Sequence, residues 1–172
     1  MKRWPYRLRQ FRLALTARPD PLQLDETRRL LTPAQYTLFT RLQPSEQAHA
    51  IAVLQKVRED DSHPDLLTAA LLHDIGKIVH PLKLWERIYI VLTPKTRGAA
   101  GPRATQKGSR PLRGPLRVAA EHPAWGADLA RRAGASPLAV NLIRRHQTHP
   151  NGKPMNLEDR LLALLQAADD AS

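Results

Sequence analysis

The sequence predicts an all-α protein, a helical bundle with a metal centre in its core, and three observations carry that reading. No stretch shows the two-residue apolar and polar alternation of a half-buried strand, and no internal repeat is visible. Cap-then-proline pairs open helices at Thr32-Pro33 and Ser136-Pro137, while Pro44-Ser45 and Asn156 mark two further starts. Residues of metal-ligand type recur at regular intervals: 24 residues separate His49 from His73 and His122 from His146, and 23 separate His146 from Asp169. Each interval is about one helix plus its connection, so every such residue can sit on its own helix and the set can converge in a bundle core.

Residues 1–32 read as a basic amphipathic arm. Trp4, Leu8, Phe11 and Leu15 recur at helical spacing among arginines, a stripe that either docks on the protein's own core or lies on a membrane surface. Residues 33–172 read as a single domain. A helix starts at Pro33, and the next runs from Pro44 to about Arg58 with Ala50, Val53, Leu54 and Val57 as its core stripe and His49 at the inner edge. Asp60 to Pro64 is a loop and cap, in which His63, preceding a proline, reads as a turn residue rather than a ligand. The apolar run Leu66–Leu72 is a buried helix ending in His73-Asp74-Ile75-Gly76-Lys77, where Gly76 is expected to stop it.

Leu82–Leu92 reads as another packed helix. Residues 93–114 then change character: four Gly, three Pro, six basic residues and almost no apolar surface predict a flexible insertion that could act as a lid. Beyond it, Pro115–Ala120 and Pro123–Ala133 are expected as two helices, with Gly126 allowing a close approach to the site and Gly134 ending the second. One helix then leads from Ser136-Pro137 through His146, and Asn156 caps the last.

With 172 residues, 42% of them hydrophobic, the chain suits one domain with a real core. It has no cysteine, so any metal must be held by nitrogen and oxygen, which suits iron or manganese, with cobalt, zinc or magnesium also admissible. No apolar run approaches a signal or membrane-spanning segment, and a cytoplasmic protein, peripheral at a membrane surface if the arm binds one, is expected. The net charge of +11 is localised. Six basic residues lie in 1–18 and six in 93–114, neither stretch with an acid; removing these twelve from 27 leaves 15 against 16 acidic residues. The basicity thus belongs to two appendages suited to anionic lipid, nucleic acid or an anionic substrate.

An imidazole and a carboxylate side by side in an apolar core are costly unless paired or metal-bound, so His73 and Asp74 point to a cation. Taken alone, the dipeptide also fits a capped helix end with a structural salt bridge. The wider set His49, His73, Asp74, His122, His146 and Asp169 holds too many ligands for one tetrahedral ion and suits two bridged ions. Asp169 is preferred over Asp170 because Leu162, Leu165 and Asp169 share one helical face. Lys77, one turn beyond the pair, could meet a phosphate oxygen or simply answer the helix dipole. Arg145, His149 and Lys153 cluster beyond His146, where they could grip phosphate or form a solvated basic face.

From Pro44 to the C-terminus the chain resembles the HD-domain (HDIG-type) metal-dependent phosphohydrolase superfamily. The resemblance rests on His49 in Glu46-Gln47-Ala48-His49, on His73-Asp74, on His122-Pro123-Ala124-Trp125-Gly126 as an H-x-x-x-G pattern, on Ile143-Arg144-Arg145-His146 and on the closing Asp169. It implies an HD-type bundle holding two divalent ions with Asp74 bridging, and hydrolysis of a nucleotide-like phosphoester or phosphoanhydride in which Asp74 and Lys77 take part. Among subfamilies the closest similarity is to bacterial HD-type diadenosine tetraphosphate hydrolases. HD-type di-iron oxygenases use a similar four-His, two-Asp set, and non-catalytic HD signalling domains form a third possibility. The Gly-Tyr-Pro of HD-GYP cyclic dinucleotide phosphodiesterases is replaced here by Asn151-Gly152-Lys153-Pro154.

Overall fold

Proline pre-sets φ and lacks the N–H that a first turn cannot use, so it marks helix starts, and here it opens five helices. The computed structural model of the protein describes residues 17–80, 110–148 and 156–172. Among them are seven α-helices: α1 (Pro21–Leu30), α2 (Pro33–Phe39), α3 (Pro44–Asp60), α4 (Pro64–Leu72), α5 (Arg110–Arg132), α6 (Pro137–Arg145) and α7 (Leu157–Asp170). A 3-10 turn, Ile75–Val79, follows α4. No strand occurs among the described residues, and no described helix is long and apolar enough to cross a membrane.

The caps read from the sequence are formed as hydrogen bonds. Thr32 Oγ1 accepts from the Gln35 N–H at 3.3 Å, Ser136 Oγ from that of Ala139 at 3.0 Å, and Asn156 Oδ1 from that of Asp159 at 2.8 Å. Each satisfies an orphan amide of a first turn, typically worth about 1 kcal/mol. His63 is a cap too, its Nδ1 accepting from the Asp65 N–H at 3.2 Å. At Gln43 the reciprocal half operates: the Glu46 carboxylate accepts from the Gln43 N–H at 3.3 Å.

Helix α4 is the central element, packed against α1, α3, α6 and α7. Leu66, Leu71 and Leu72 are fully buried there, and Ala69 and Ala70 let neighbours close in. A fully buried leucine contributes about 1.5–3 kcal/mol, so this single helix supplies much of the core. Around it lie Val53, Leu54 and Val57 of α3, Leu142 and Ile143 of α6, and Leu161, Leu162 and Leu165 of α7.

The structure differs from expectation in four places, the last of them at Gly76. Residues 21–30, within the stretch read as an arm, form α1, whose Thr27 is fully buried. Arg110–Gly114, within the stretch read as an insertion, are the first turns of α5. Two helices were expected between Pro115 and Ala133, and one continuous helix is found; it ends at Arg132, with Gly134 at φ +77° beyond it. Pro123 deprives one carbonyl of its partner, yet the helix persists because Val118, His122, Ala127 and Ala130 keep one buried stripe across it. The stripe Trp4 to Leu15, the helix Leu82–Leu92 and residues 93–109 of the insertion lie outside the described residues.

Gly76 does not end α4, which stops at Leu72; it is where α5 crosses the 3-10 turn. A Cβ on Gly76 would lie 2.0 Å from the His122 carbonyl oxygen and 2.8 Å from the Gly126 nitrogen. Both are backbone atoms, so a methyl there has to push the two elements apart. Gly76→Ala is therefore expected to cost about 1–3 kcal/mol, read in thermal denaturation as a midpoint lower by about 2–4 °C for each kcal/mol in a chain of this size. Gly126→Ala, whose Cβ would meet the Gly76 nitrogen at 3.1 Å, is expected to cost less. An unchanged midpoint for Gly76→Ala would refute this contact.

Candidate metal centre

The helices bring all six candidate ligands to one place. His49 comes from α3, His73 and Asp74 from the end of α4, His122 from α5, His146 from the end of α6 and Asp169 from α7. They fall into two interlocked groups, His49 with His73 and Asp169, and Asp74 with His122 and His146. The His73-Asp74 dipeptide spans the two, each residue serving a different group. His73, Asp74, His122 and His146 are buried, whereas His49 and Asp169 stand at the mouth.

Three imidazoles are oriented by the same device. The Nδ1–H groups of His73, His122 and His146 donate to the carbonyls of Ala70, Val118 and Ile143 at 2.9, 2.9 and 2.7 Å. A carbonyl only accepts, so Nδ1 carries a proton and each ring turns its Nε2 inward. His122 Nε2 then lies 3.3 Å from His146 Nε2 and 3.2 Å from Asp74 Oδ1. His73 Nε2 has no hydrogen-bond partner although fully buried; its nearest carboxylate oxygens, on Asp74 and Asp169, are 3.5 and 3.6 Å away. Ring nitrogens and carboxylate oxygens converge here, and the buried His73 Nε2 is left with no partner; a divalent cation satisfies such a set, and the residues present fit such an ion.

Electrostatics agree. Burial alone would raise the Asp74 pKa, but the Lys77 ammonium and the neighbouring His73 hold it well below the usual carboxylate range. Burial also works against ionised Asp169, yet the hydrogen bond from His49, at 2.9 Å, and the nearby His73 imidazole keep it far below that range. Burial and the nearby His73 push His146 down to about 4, so its ring is neutral near pH 7. For His73 burial opposes protonation, but Asp74 and Asp169 outweigh it and raise the pKa. The carboxylates thus favour positive charge at its Nε2, whether proton or metal.

Lys77 reaches back to Asp74, its Nζ donating to Oδ2. Burial lowers its pKa and Asp74 raises it more, so it stays an ammonium. The structure sets Arg145 against Glu158 and Asp159 on the first turn of α7, with its second guanidinium nitrogen 2.8 Å from Asp159 Oδ1. His149 and Lys153 lie outside the described residues.

Two residues at the site went unread in the sequence. Gln147 carries an amide whose Nε2 lies 3.3 Å from His122 Nε2. Gln166 is buried, and its Nε2 donates to the carbonyls of His146 at 3.0 Å and Thr148 at 2.9 Å, fixing the end of α6 that carries the His146 ring. Only its place on the Leu162 and Leu165 side of α7 hinted at burial. Gln166→Leu keeps the volume but frees those carbonyls, so it is expected to weaken divalent metal affinity about 10–100-fold. Competition with a chromogenic chelator measures this, and an affinity equal to wild type would remove Gln166 from the support of the centre.

Comparison with known proteins bears on this arrangement. Neither curated proteins nor solved structures gave a match. A family model for the HD domain matches residues 47–170, from the start of α3 to the end of α7 and including all six clustered side chains. The chain belongs to the HD domain family.

Proposed function

We propose that the protein is a metal-dependent phosphohydrolase that cleaves a phosphoester or phosphoanhydride of a nucleotide-like substrate at two divalent ions. The carrying observation is the buried, partnerless His73 Nε2 at the junction of two three-residue ligand groups. One group would hold one ion and the second group the other, with Asp74, flanked by His73 and His122, between them. Two such cations, when bound, supply charge to a phosphoryl group and make water a nucleophile near neutral pH. Iron or manganese suits this nitrogen and oxygen donor set best.

The chain's own residues have distinct tasks. Carbonyl bonds on Nδ1 hold the His73, His122 and His146 rings in one tautomer, so no reorganisation is needed when charge develops. Lys77 keeps Asp74 ionised and carries a positive charge beside the centre, where it can meet a phosphoryl oxygen. Dinucleoside polyphosphates are the first substrates to try, ahead of nucleoside mono- and triphosphates and cyclic dinucleotides. The basic segments at 1–18 and 93–114 are assigned to the capture of anionic substrate, lipid or nucleic acid.

Metal analysis of protein purified anaerobically and reloaded is expected to give two divalent ions per chain. Asp74→Asn should abolish hydrolysis of every phosphorylated compound that the wild type cleaves while the circular dichroism spectrum is kept. Lys77→Ala should lower kcat about 10–100-fold, the size of one transition-state charge contact. Hydrolysis retained by Asp74→Asn, or substrate-dependent oxygen uptake by the iron-loaded wild type, would overturn the reading.

A further inference from the structure

Gln147 reaches the cluster from outside. It follows His146 in the turn that ends α6 and is an exposed residue, yet its amide Nε2 lies 3.3 Å from Nε2 of the buried His122. An amide nitrogen donates and does not accept, and His122 Nδ1 gives its proton to Val118, so His122 Nε2 is the acceptor of this bond. Asp74 Oδ1 and His146 Nε2 also approach that nitrogen, at 3.2 and 3.3 Å. Asp74 is ionised and the His146 ring, neutral near pH 7, spends its proton on Ile143, so neither has a hydrogen to give. Of these three neighbours Gln147 alone is a donor.

The amide stands on a rigid base. Gln166 donates to the carbonyls on either side of Gln147, that of His146 at 3.0 Å and that of Thr148 at 2.9 Å. The Thr148 N–H in turn donates to the Arg145 carbonyl at 2.7 Å. The backbone around Gln147 thus has little freedom, and what can move is the side chain. The His122 lone pair that the amide takes is the one that would bind a cation in the group of Asp74, His122 and His146, and it cannot serve both. A cation in that group would therefore free the amide hydrogens at its solvent-facing edge. Gln147 is neutral, so it neither repels a cation as lysine would nor repels phosphate as glutamate would.

We propose that Gln147 is a substrate-binding donor, its amide leaving His122 Nε2 to the cation and giving its hydrogen to a non-bridging oxygen of the phosphoryl group. The proposal rests on the phosphohydrolase reading above and adds a second donor to it. Lys77 bonds to Asp74 Oδ2, whereas His122, with Gln147 beyond it, approaches Oδ1. A charged and a neutral donor are thus linked through the two oxygens of one carboxylate.

The test is competition for manganese with a chromogenic chelator, followed by isothermal titration of the full chain with inorganic phosphate at saturating manganese. Gln147→Ala should hold manganese about 2–10-fold more tightly than wild type, because one net hydrogen bond no longer competes for His122. The same variant should bind phosphate about tenfold more weakly, having lost a bond to a charged acceptor. Gln147→Glu should move both affinities further, since a carboxylate attracts the cation and repels the anion. A merely structural role would lower both affinities together, so the opposite signs are the signature. Manganese affinity unchanged or lowered in Gln147→Ala, or phosphate bound by either variant as tightly as by wild type, would overturn the assignment and leave the phosphohydrolase reading intact. Should the loaded wild type cleave no phosphorylated compound while the opposite shifts are seen, that reading falls and the donor assignment stands.

Discussion

Two backbones meet with no room for a side chain between them at Gly76 and His122, and the arrangement of the clustered histidines and aspartates depends on it. The 3-10 turn after α4 and the middle of α5 meet where Gly76 leaves no room for a Cβ beneath the His122 carbonyl, with Gly126 one turn further along. That contact fixes how far His122 stands from Asp74, and a separation of 3.2 Å tolerates little slack. Packed interiors are not continuously deformable, so a small displacement here would separate the two ligand groups instead of stretching them. Pro123, directly after His122, is accepted inside the helix for the same reason: burial on both sides of it outweighs the roughly 3 kcal/mol it costs.

Holding the elements close creates an electrostatic problem that the chain solves locally. Asp74 and Asp169 share one cluster and repel, and each is kept ionised by its own partners: Lys77 and His73 for the first, His49 and His73 for the second. His73 thereby serves both carboxylates, which explains why its Nε2 lies near each yet bonds to neither. A cation held there would relieve repulsion and desolvation together, which would couple its binding to folding.

The sequence made legible what is decided by neighbours along the chain. Thr32, Ser136 and Asn156 act through amides three residues away, and all three caps formed as read. The convergence of His49, His73, Asp74, His122, His146 and Asp169 was legible because such residues, spread over successive helices, leave a regular interval. Helix α1 escaped notice although Asp20-Pro21 and Gln23 carry the same signature, with Asp20 accepting from the Leu22 N–H at 2.8 Å and Gln23 accepting from that of Asp20 at 3.0 Å. The surrounding basic residues drew the reading toward an arm. Gln166 and the union of α5 across Pro123 were illegible for another reason: both are set by contacts with elements distant in sequence, which no local pattern encodes.

Arg145 illustrates the same limit from the functional side. A basic residue beside a ligand histidine invites a phosphate-binding role, and nothing local reveals its partners. In the fold it faces Glu158 and Asp159, and those bonds tie the end of α6 to the start of α7. The two helices thus joined are those that carry His146 and Asp169, one ligand from each group. Its guanidinium is five-donor and bidentate, which suits a clamp between helices at least as well as a phosphate grip. Lys77 differs in kind, donating to Asp74 inside the cluster itself, whereas Arg145 acts on the cluster from outside by joining the helices that carry two of its members.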